Sequence, residues 1–452
     1  SGFFTIFISL ILLFLSRGKV KNSINLKEGF YVVTISWLLM GLFCALPYFL
    51  SPYFTHFIDA FFESMSGITT TGATIIGSNL GYSIEELPHG ILFWRSFTQF
   101  IGGMGIILFT IAILPILGMG GVQLFRAEVP GPSTDKFTPR IKETAKYLWI
   151  IYLGLIIIET IVLYLEGIIF NIDKITFFNA ICHSMTTIST AGFSTFNNSI
   201  AGFESDIVSW TIIFFMFLSA TNFSLHFLLI TKKSFEYFGD AEFKSYIFII
   251  LFFFLLTFIN VSSLYGYTFK NITASLFNTM SLLTTTGYTL YDYGTWPPLS
   301  QLIIFFMFFI GGMAGSTTGG IKLIRTILVV KYIKTEISRM LHPRGLHHVK
   351  IGEKVINDDI VRSTLGFYLF YILIFSLSSL AISMNGLDVI SSLAVSASSL
   401  GNIGPGLGII GPTLDWGSLN TFCKLLSTFC MLLGRLEIFT VIVLFSSTYW
   451  KS

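Results

Sequence analysis

The string TTTGAT at residues 69–74 organises the whole sequence, because related strings return three more times. TTTGYT at 284–289 is nearly identical, STAGFS at 189–194 is a looser copy, and GNIGP at 401–405 stands where a fourth copy is expected. Each copy follows a short apolar stretch and lies between two long apolar runs. The copies are about 100 residues apart, which is far longer than a solenoid repeat. The pattern predicts four re-entrant loops around one axis, which we call glycine loops one to four.

The composition indicates a membrane protein. Of the 452 residues, 53% are hydrophobic and 11% are charged, and the mean hydropathy is +0.77. Soluble domains carry roughly 25% charged residues, more than this chain has. The apolar runs of about 20 residues are long enough to cross a hydrocarbon core of roughly 30 Å as helices. Together with the four glycine loops, these runs predict an all-α polytopic membrane protein in which four span–pore helix–span repeats surround one pore, a potassium-channel-like arrangement.

The repeats divide the chain into segments. Short helices are expected before the four glycine loops, at 59–68, 175–188, 272–283 and 389–400. The expected segments are a partial amino-terminal helix with a basic linker (1–27), pore repeat one (28–122), a connection (123–147), pore repeat two (148–231), a connection (232–245), pore repeat three (246–335), a hairpin (336–359) and pore repeat four (360–452).

The first apolar run, from residue 1 to about residue 15, is slightly short for a full span. Because the chain also starts without Met, we expect a truncation inside a longer amino-terminal region. A signal peptide is the alternative, but its basic residues precede the apolar run, whereas here Arg17, Lys19 and Lys21 follow it.

The basic residues predict the orientation. Most of the 27 Lys and Arg residues lie at 16–28, 123–147, 231–246 and 322–354. The positive-inside rule therefore makes these four segments cytoplasmic and turns the glycine loops outward. Mostly acidic residues accompany the outward side and would concentrate cations there. The net charge of +3 is too small to indicate a nucleic-acid partner. The basic segment 322–354 can face lipid headgroups.

The glycine loops carry the chemistry of a cation filter. Irregular backbone at membrane depth is tolerated only where protein or a water-filled cavity satisfies its polar groups, and rings of carbonyls replace the hydration shell of potassium. A helix stop is the simpler explanation of any single copy, but four copies in equivalent positions favour a filter. The candidate potassium ligands are Thr70, Thr71, Gly72, Thr190, Ala191, Gly192, Thr285, Thr286, Gly287, Asn402, Ile403 and Gly404.

A glycine-rich stretch at 311–320 interrupts the last apolar run of repeat three. A phosphate-binding loop is excluded because no Lys follows the second glycine of its spacing. Close helix packing through small residues remains an alternative, but so many adjacent glycines favour a break that could swing across the pore as a gate. We call this stretch the gate loop. Its candidate residues are Gly311, Gly312, Gly315, Ser316, Thr317, Gly319 and Gly320.

Arg435 lies inside the last long apolar run. A charge within a membrane span indicates function by default. The functional interpretation places Arg435 beneath the filter, where it forms an electrostatic barrier and pairs with carbonyls of the gate loop. The alternative is a buried ion pair with Glu437, although residues two apart on a helix do not face each other.

Two other functions are alternatives to a potassium pore. An intramembrane hydrolase could use Ser194 as nucleophile and His226 as base, but this pair leaves the other three loops unexplained. We expect no enzyme, and we expect structural, hydrogen-bonded roles for His183 and His226. Symport with sodium or protons is the second alternative. It needs a buried carboxylate, for which Glu437 is the only candidate between filter and gate.

Several motifs resemble the TrkH/TrkG family of bacterial potassium uptake proteins, within the Trk/Ktr/HKT superfamily. They are DAFFESMSG at 59–67 leading into loop one, FWR at 93–95, GGMG at 102–105, the segment 126–132, the gate loop, HPR at 342–344, the segment 401–406 and the segment 434–439. The resemblance covers nearly the whole chain.

The resemblance implies a multi-pass protein of the bacterial inner membrane with one potassium pore per subunit. It places the filter at Gly72, Gly192, Gly287 and Gly404, and the gate at 311–320 opposite Arg435. It also implies a homodimer and a cytoplasmic TrkA-type ring, which binds the nucleotide that this chain does not bind itself. The second and fourth loops depart from the Thr-Thr pattern of the others, so we expect modest selectivity for potassium over sodium.

Overall fold

The computed structural model describes residues 26–77, 80–112, 137–232, 238–345, 347–352 and 354–451. Almost all of the expected amino-terminal helix and linker, and the larger part of the connection at 123–147, lie outside these ranges.

Most of the regular structure of the described chain consists of α-helices. In chain order they are α1 (Leu26–Phe49), α2 (Phe57–Ile68), α3 (His89–Ala112), α4 (Phe137–Ile169), α5 (Phe177–Ile188), α6 (Asp206–Ser219), α7 (Phe223–Lys232), α8 (Ala241–Tyr265), α9 (Phe269–Leu283), α10 (Pro298–Met307), α11 (Leu323–Leu341), α12 (Asp358–Ser383), α13 (Val389–Gly401), α14 (Thr421–Arg435), α15 (Phe439–Ile442) and α16 (Ser447–Lys451). Two short strands, β1 (Lys350–Ile351) and β2 (Lys354–Val355), form an antiparallel hairpin that pairs Lys350 with Val355.

Among the described residues, four helices, one at the start of each repeat, are by themselves long and apolar enough to cross a membrane. They are the apolar parts of α1, α4, α8 and α12, at 28–49, 145–169, 241–265 and 358–383. Each is followed by a short helix (α2, α5, α9 or α13) that leads into a glycine loop. The expected all-α polytopic fold is confirmed.

The short helices are enclosed by the spans. Hydrogen-bonded caps start three of them, where Thr176, Thr268 and Asp388 accept N–H bonds from the first turn. Most of their polar side chains are buried, and the hydroxyls of Ser184 and Thr187 donate to carbonyls one turn earlier in α5. Such internal bonds satisfy these hydroxyls of α5 in a low-dielectric interior, whereas the buried hydroxyls of Ser66 in α2 and Ser399 in α13 have no hydrogen-bond partner among the described residues.

The second spans of repeats two, three and four are all broken. The pair α6 and α7 bends by 93°, and α14 bends by 109° into the segment that follows it. In repeat three, α10 ends at Met307 and α11 begins at Leu323, so the gate loop is not helical. In repeat four, Glu437 and Ile438 have φ of 56° and 31° at the bend. The gate loop lies against the other two breaks, because Met313 donates its N–H to the carbonyl of Ala220 after α6 and Thr317 accepts from Arg435 at the end of α14.

Candidate functional site

Each short helix ends with the same pair of backbone hydrogen bonds. At the end of α2, the N–H of Thr71 donates to the carbonyl of Ser66 and the N–H of Thr70 donates to that of Gly67. This pairing is a Schellman motif, which ends a helix on a residue of left-handed conformation. In the other three loops, the bond that corresponds to the one from Thr71 to Ser66 runs from the N–H of Ala191 to the carbonyl of Thr186, from Thr286 to Ser281 and from Ile403 to Ser398. The four glycine loops therefore begin with one common backbone geometry.

The left-handed residue of each cap is not glycine. Thr70, Thr190, Thr285 and Asn402 all have φ of 52°. Asn tolerates this conformation, whereas a β-branched Thr there is a genuine outlier. Strain of this kind persists only where the surroundings hold it, and it concentrates at functional sites. Two residues later, Gly72, Gly192, Gly287 and Gly404 again have positive φ, at 78°, 77°, 75° and 99°.

The four glycines close the loops into a ring. A methyl group on Gly72 would lie 2.1 Å from the carbonyl oxygen of Ala191 in the next loop, closer than atoms can pack. A methyl group on Gly192 would lie 2.0 Å from the carbonyl oxygen of Thr286, one on Gly287 would lie 1.8 Å from that of Ile403, and one on Gly404 would lie 2.6 Å from that of Thr71. The last contact returns to loop one, so each glycine lies against the carbonyl that precedes the next glycine.

The side chains of the four left-handed residues differ in their bonding. The Thr70 hydroxyl has no hydrogen-bond partner among the described residues, while that of Thr190 donates to the neighbouring Ser189 carbonyl. Thr285 accepts the N–H of Gly319 at 2.7 Å. Asn402 donates to the hydroxyl of Thr71 at 3.0 Å and thereby joins loop four to loop one. The ring is uniform in its backbone and unequal in its side chains.

A buried ion pair braces loop one against loop two. Arg95 Nε lies 2.9 Å from Glu63 Oε1, and the two side chains are 1% and 0% exposed. Glu63 also accepts the Thr74 hydroxyl and the N–H of Ile75. Arg95 donates a further bond to the carbonyl of Ser194 in loop two. The pair was not identified as functional from the sequence, although both residues lie in the motifs at 59–67 and 93–95.

Gln99 lies one helical turn after Arg95, on the same face of α3. Its side chain donates to the carbonyl of Ala191 at 2.7 Å and accepts the N–H of Phe193 at 3.1 Å, so it clasps loop two on both sides of its glycine. Further along α3, a methyl group on Gly102 would lie 2.0 Å from the carbonyl oxygen of Ile68. The glycines at 102–105 thus allow α3 to approach the end of α2.

A second polar cluster joins loops two and three. The hydroxyl of Tyr288 lies within hydrogen-bond distance of the Thr186 hydroxyl and 3.1 Å from the carbonyl of His183. His183 Nε2 lies 2.9 Å from the hydroxyl of Ser194. His183 therefore has the hydrogen-bonded structural role that was expected.

The Ser194 and His226 pair of the hydrolase alternative does not form. The ring nitrogen of His226 lies 2.9 Å from the carbonyl oxygen of Leu218, and the histidine that contacts Ser194 is His183. The sequence could not show this, because the separation of Ser194 from each histidine along the chain does not give their distance in the fold.

Trp416 closes the ring between loops four and one. Its indole N–H donates to the carbonyl of Gly404 at 3.1 Å, and its backbone N–H donates to that of Thr74 at 2.8 Å. Nearby, a buried ion pair of 2.7 Å joins Lys424 on α14 to Asp59 on α2. No sequence pattern marked Trp416 or Lys424.

The gate loop lies directly against the ends of the short helices. The hydroxyl of Thr317 is 2.9 Å from the carbonyl oxygen of Ile188 at the end of α5 and 3.1 Å from that of Ser219. Gly319 donates to Thr285 of loop three, as described above, and a methyl group on it would lie 2.7 Å from Asn402 Cβ. The loop therefore contacts repeats two, three and four at the base of the ring.

Arg435 is buried beside the gate loop. Its guanidinium donates to the carbonyl of Thr317 at 2.9 Å and to that of Gly102 at 3.1 Å. The alternative pairing with Glu437 does not form, because Glu437 lies 2.5 Å from Arg325 on α11. A methyl group on Gly434 would lie 2.1 Å from the carbonyl oxygen of Leu400, which explains why glycine precedes this arginine.

Glu437, the candidate carboxylate expected between filter and gate, is less buried than three other carboxylates of the described ranges. Its side chain is 19% exposed, whereas Glu63 and Glu159 are 0% exposed and Glu242 is 1% exposed. Within the described ranges, no cluster of three His, Cys, Asp or Glu residues could hold a metal ion. The four cysteines, Cys44, Cys182, Cys423 and Cys430, are free and buried.

Four re-entrant loops that close into a ring among broken apolar spans define a polytopic pore-loop membrane transporter. Comparison with known proteins identifies the family. The model of the TrkH family, described as cation transport protein, matches residues 1–452. The chain belongs to this family.

Named relatives cover most of the chain. The Trk system potassium uptake protein TrkH of Vibrio parahaemolyticus is 39% identical over 439 residues, which are 96% of this chain and 88% of the relative. The TrkG protein of Escherichia coli strain K12 is 36% identical over 460 residues, covering 99% and 92%. The crystal structure of the potassium transporter TrkH from Vibrio parahaemolyticus matches with a TM-score of 0.84 at 37% identity, covering 96% of this chain and 87% of that chain.

Proposed function

We propose that this chain is the ion-translocating subunit of a Trk-type potassium uptake system in the bacterial inner membrane, and that potassium passes through a gated, channel-like pore. The family membership and the names of the relatives support potassium uptake. The closed ring of glycine loops is the observation that carries the pore mechanism.

The ring supplies the ligands of a potassium filter. Positive φ at the cap residue and at the following glycine rotates the intervening peptides, so that carbonyl oxygens can point to the ring centre and replace the hydration shell of the ion. Glycine adopts this conformation without steric cost. The unequal side chains at Thr70, Thr190, Thr285 and Asn402 favour modest selectivity, because the four quadrants do not present identical ligands.

The gate loop is the second part of the mechanism. It lies at the base of the ring, and Arg435 adds a buried positive charge at the same level. A cation leaving the filter would meet both. We propose that flow requires the gate loop to move, and that the membrane potential drives potassium inward when it does.

A cytoplasmic partner would act through α11, which follows the gate loop directly. The helix carries the exposed basic residues Lys334 and Arg339 beside Ile337 and Met340, which are 54% and 79% exposed. The relatives are named as parts of a Trk system, and we propose that a TrkA-type nucleotide-binding ring contacts this surface. We also propose that two copies of this chain form a homodimer.

The second candidate is symport coupled to sodium or protons. It is favoured by Glu159 on α4, because this carboxylate is fully buried within an apolar span. Intramembrane carboxylates of this kind occur in proton relays.

Rubidium uptake into liposomes that contain the purified chain distinguishes the candidates. We expect uptake that follows the potassium or rubidium gradient alone and does not change when a sodium or proton gradient is added. Uptake that appears only with a second ion gradient would replace the channel-like mechanism by symport. Sodium permeation equal to that of potassium would contradict even modest selectivity.

A further inference from the structure

Glu242 contacts the gate loop from outside the loop. It lies in the first turn of α8, after the Asp240 cap, and its side chain is 1% exposed. Its Oε1 atom accepts the N–H of Ala314 at 2.8 Å and that of Ile324 at 3.2 Å. Ala314 lies within the gate loop and Ile324 lies in the first turn of α11. One carboxylate therefore ties the loop to the helix that follows it.

The base of the gate loop is narrow. The N–H of Gly311 donates to the carbonyl of Ile321 at 2.8 Å, and the N–H of Leu323 donates to that of Gly312 at 3.0 Å. These two bonds hold the beginning and the end of the loop close together. Ala314 lies within the segment that these two bonds close, and Ile324 lies after it. Glu242 therefore bridges the two sides of the base about which the loop would turn.

The helix that carries Glu242 is well anchored. Phe243 packs edge to face against Phe217 of α6, and Tyr246 stacks on the same ring at 5.3 Å. The carboxylate is thus held by a fixed element while its two donors belong to the loop and to α11. Bonds from backbone N–H groups to a carboxylate are roughly twice as strong as neutral ones, and the amino terminus of α11 adds a favourable dipole.

The loop is therefore held at two places by groups of opposite charge. Arg435 donates to the carbonyl of Thr317 near the ring, and Glu242 accepts N–H groups at the base. We propose that Glu242 is a positioning residue that holds the gate loop closed through its base, which rests on the proposed function of this loop as the gate. The two N–H groups that it accepts lie in the gate loop and in the first turn of α11 and not in the glycine loops, so it sets how often the pore opens and not which ion passes.

Replacing Glu242 by Gln tests the proposal. Glu242→Gln keeps the size of the side chain and removes its charge, and we expect rubidium uptake into liposomes without any partner protein to rise about tenfold, the effect of weakening a bond to a charged group. The ratio of potassium to sodium uptake should not change. Glu242→Asp keeps the charge and should restore part of the closure. Glu166→Gln is the matched control, because Glu166 is bound by the Thr211 hydroxyl on α6 and makes no hydrogen bond to the gate loop.

Hydrogen exchange separates a released loop from a damaged fold. In Glu242→Gln we expect faster amide exchange at 311–324 and unchanged exchange at the four glycine loops. Unchanged uptake in Glu242→Gln, together with raised uptake in Arg435→Ala, would overturn the role of Glu242 and leave the gate in place. Unchanged uptake in both variants would overturn the gate itself. Faster exchange throughout the pore, or a changed ion ratio, would show that Glu242 supports the fold and does not position the loop.

Discussion

The glycine loops and the gate loop are neighbours, yet different contacts hold them. Each glycine loop starts from a Schellman cap in its own helix and then meets the next loop at distances that exclude a methyl group. The gate loop is held by single hydrogen bonds to groups from several repeats, among them Ile188, Glu242, Thr285 and Arg435. The ring is thus fixed by local geometry and by close packing at all four glycines, whereas the gate loop, besides a close contact at Gly319, is tied to its surroundings by separate hydrogen bonds.

The largest effect is expected from filling the ring. Gly287→Ala places a methyl group 1.8 Å from the carbonyl oxygen of Ile403, at a residue with φ of 75°. Because neither the backbone carbonyl nor the left-handed conformation can accommodate it, the ring must open or deform. We expect potassium uptake in liposomes to fall to the background of empty vesicles.

Gly154→Ala is the control for this substitution, since outside the neighbouring turns of α4 no atom of the described residues lies within 4 Å of the added methyl group. Its uptake should equal that of the unaltered chain. Substantial uptake by the Gly287→Ala variant would contradict the closed ring.

The next effect concerns the brace of the ring. Arg95→Ala leaves the buried Glu63 carboxylate without its ion pair, and breaking a buried pair from one side costs about 3–5 kcal/mol. We expect the free energy of unfolding, measured by detergent denaturation, to fall by an amount of this order. Lys174→Ala removes the exposed pair of Lys174 with Glu204, whose side chains are 45% and 76% exposed, and should change little. Equal effects of the two substitutions would show that the buried pair does not brace the ring.

The smallest effect is expected at the gate loop. Arg435→Ala removes the donor to Thr317 and the buried positive charge beside it. Uptake of rubidium should rise about tenfold, because a hydrogen bond from a charged group contributes roughly 1.5–3 kcal/mol. Arg435→Lys keeps the charge but loses the guanidinium that donates from two nitrogens. Its rubidium uptake should lie between that of the unaltered chain and that of Arg435→Ala. Flux unchanged by Arg435→Ala would remove Arg435 from the gate.

Much of the fold could be predicted because it is repeated. The strings at 69–74, 189–194, 284–289 and 401–405 share one local geometry, and their recurrence indicated four equivalent loops. The broken helix at 311–320 was also visible, since glycine-rich apolar segments do not continue a helix readily. The positions of the bends after α6 and α14 were not visible, because no comparable glycine cluster marks them.

The partners of the site residues were harder to predict. Glu63 and Arg95 are 32 residues apart, and Glu242 lies 72 residues before Ala314. Their contacts depend on how spans of different repeats pack, and a single sequence carries no signal of that packing. The expected candidate carboxylate, Glu437, proved to be a partner of Arg325 for the same reason.

The sequence by itself determined the membrane class, the four repeats and the residues that form each glycine loop, because hydropathy and helix termination depend on neighbours along the chain. Only the tertiary structure decided that the loops close into a ring, that Arg95 and Gln99 hold it, and that Arg435 and Glu242 hold the gate loop from opposite ends. These are contacts between distant segments, and the buried charges among them are stable only where the fold brings their partners within hydrogen-bond distance.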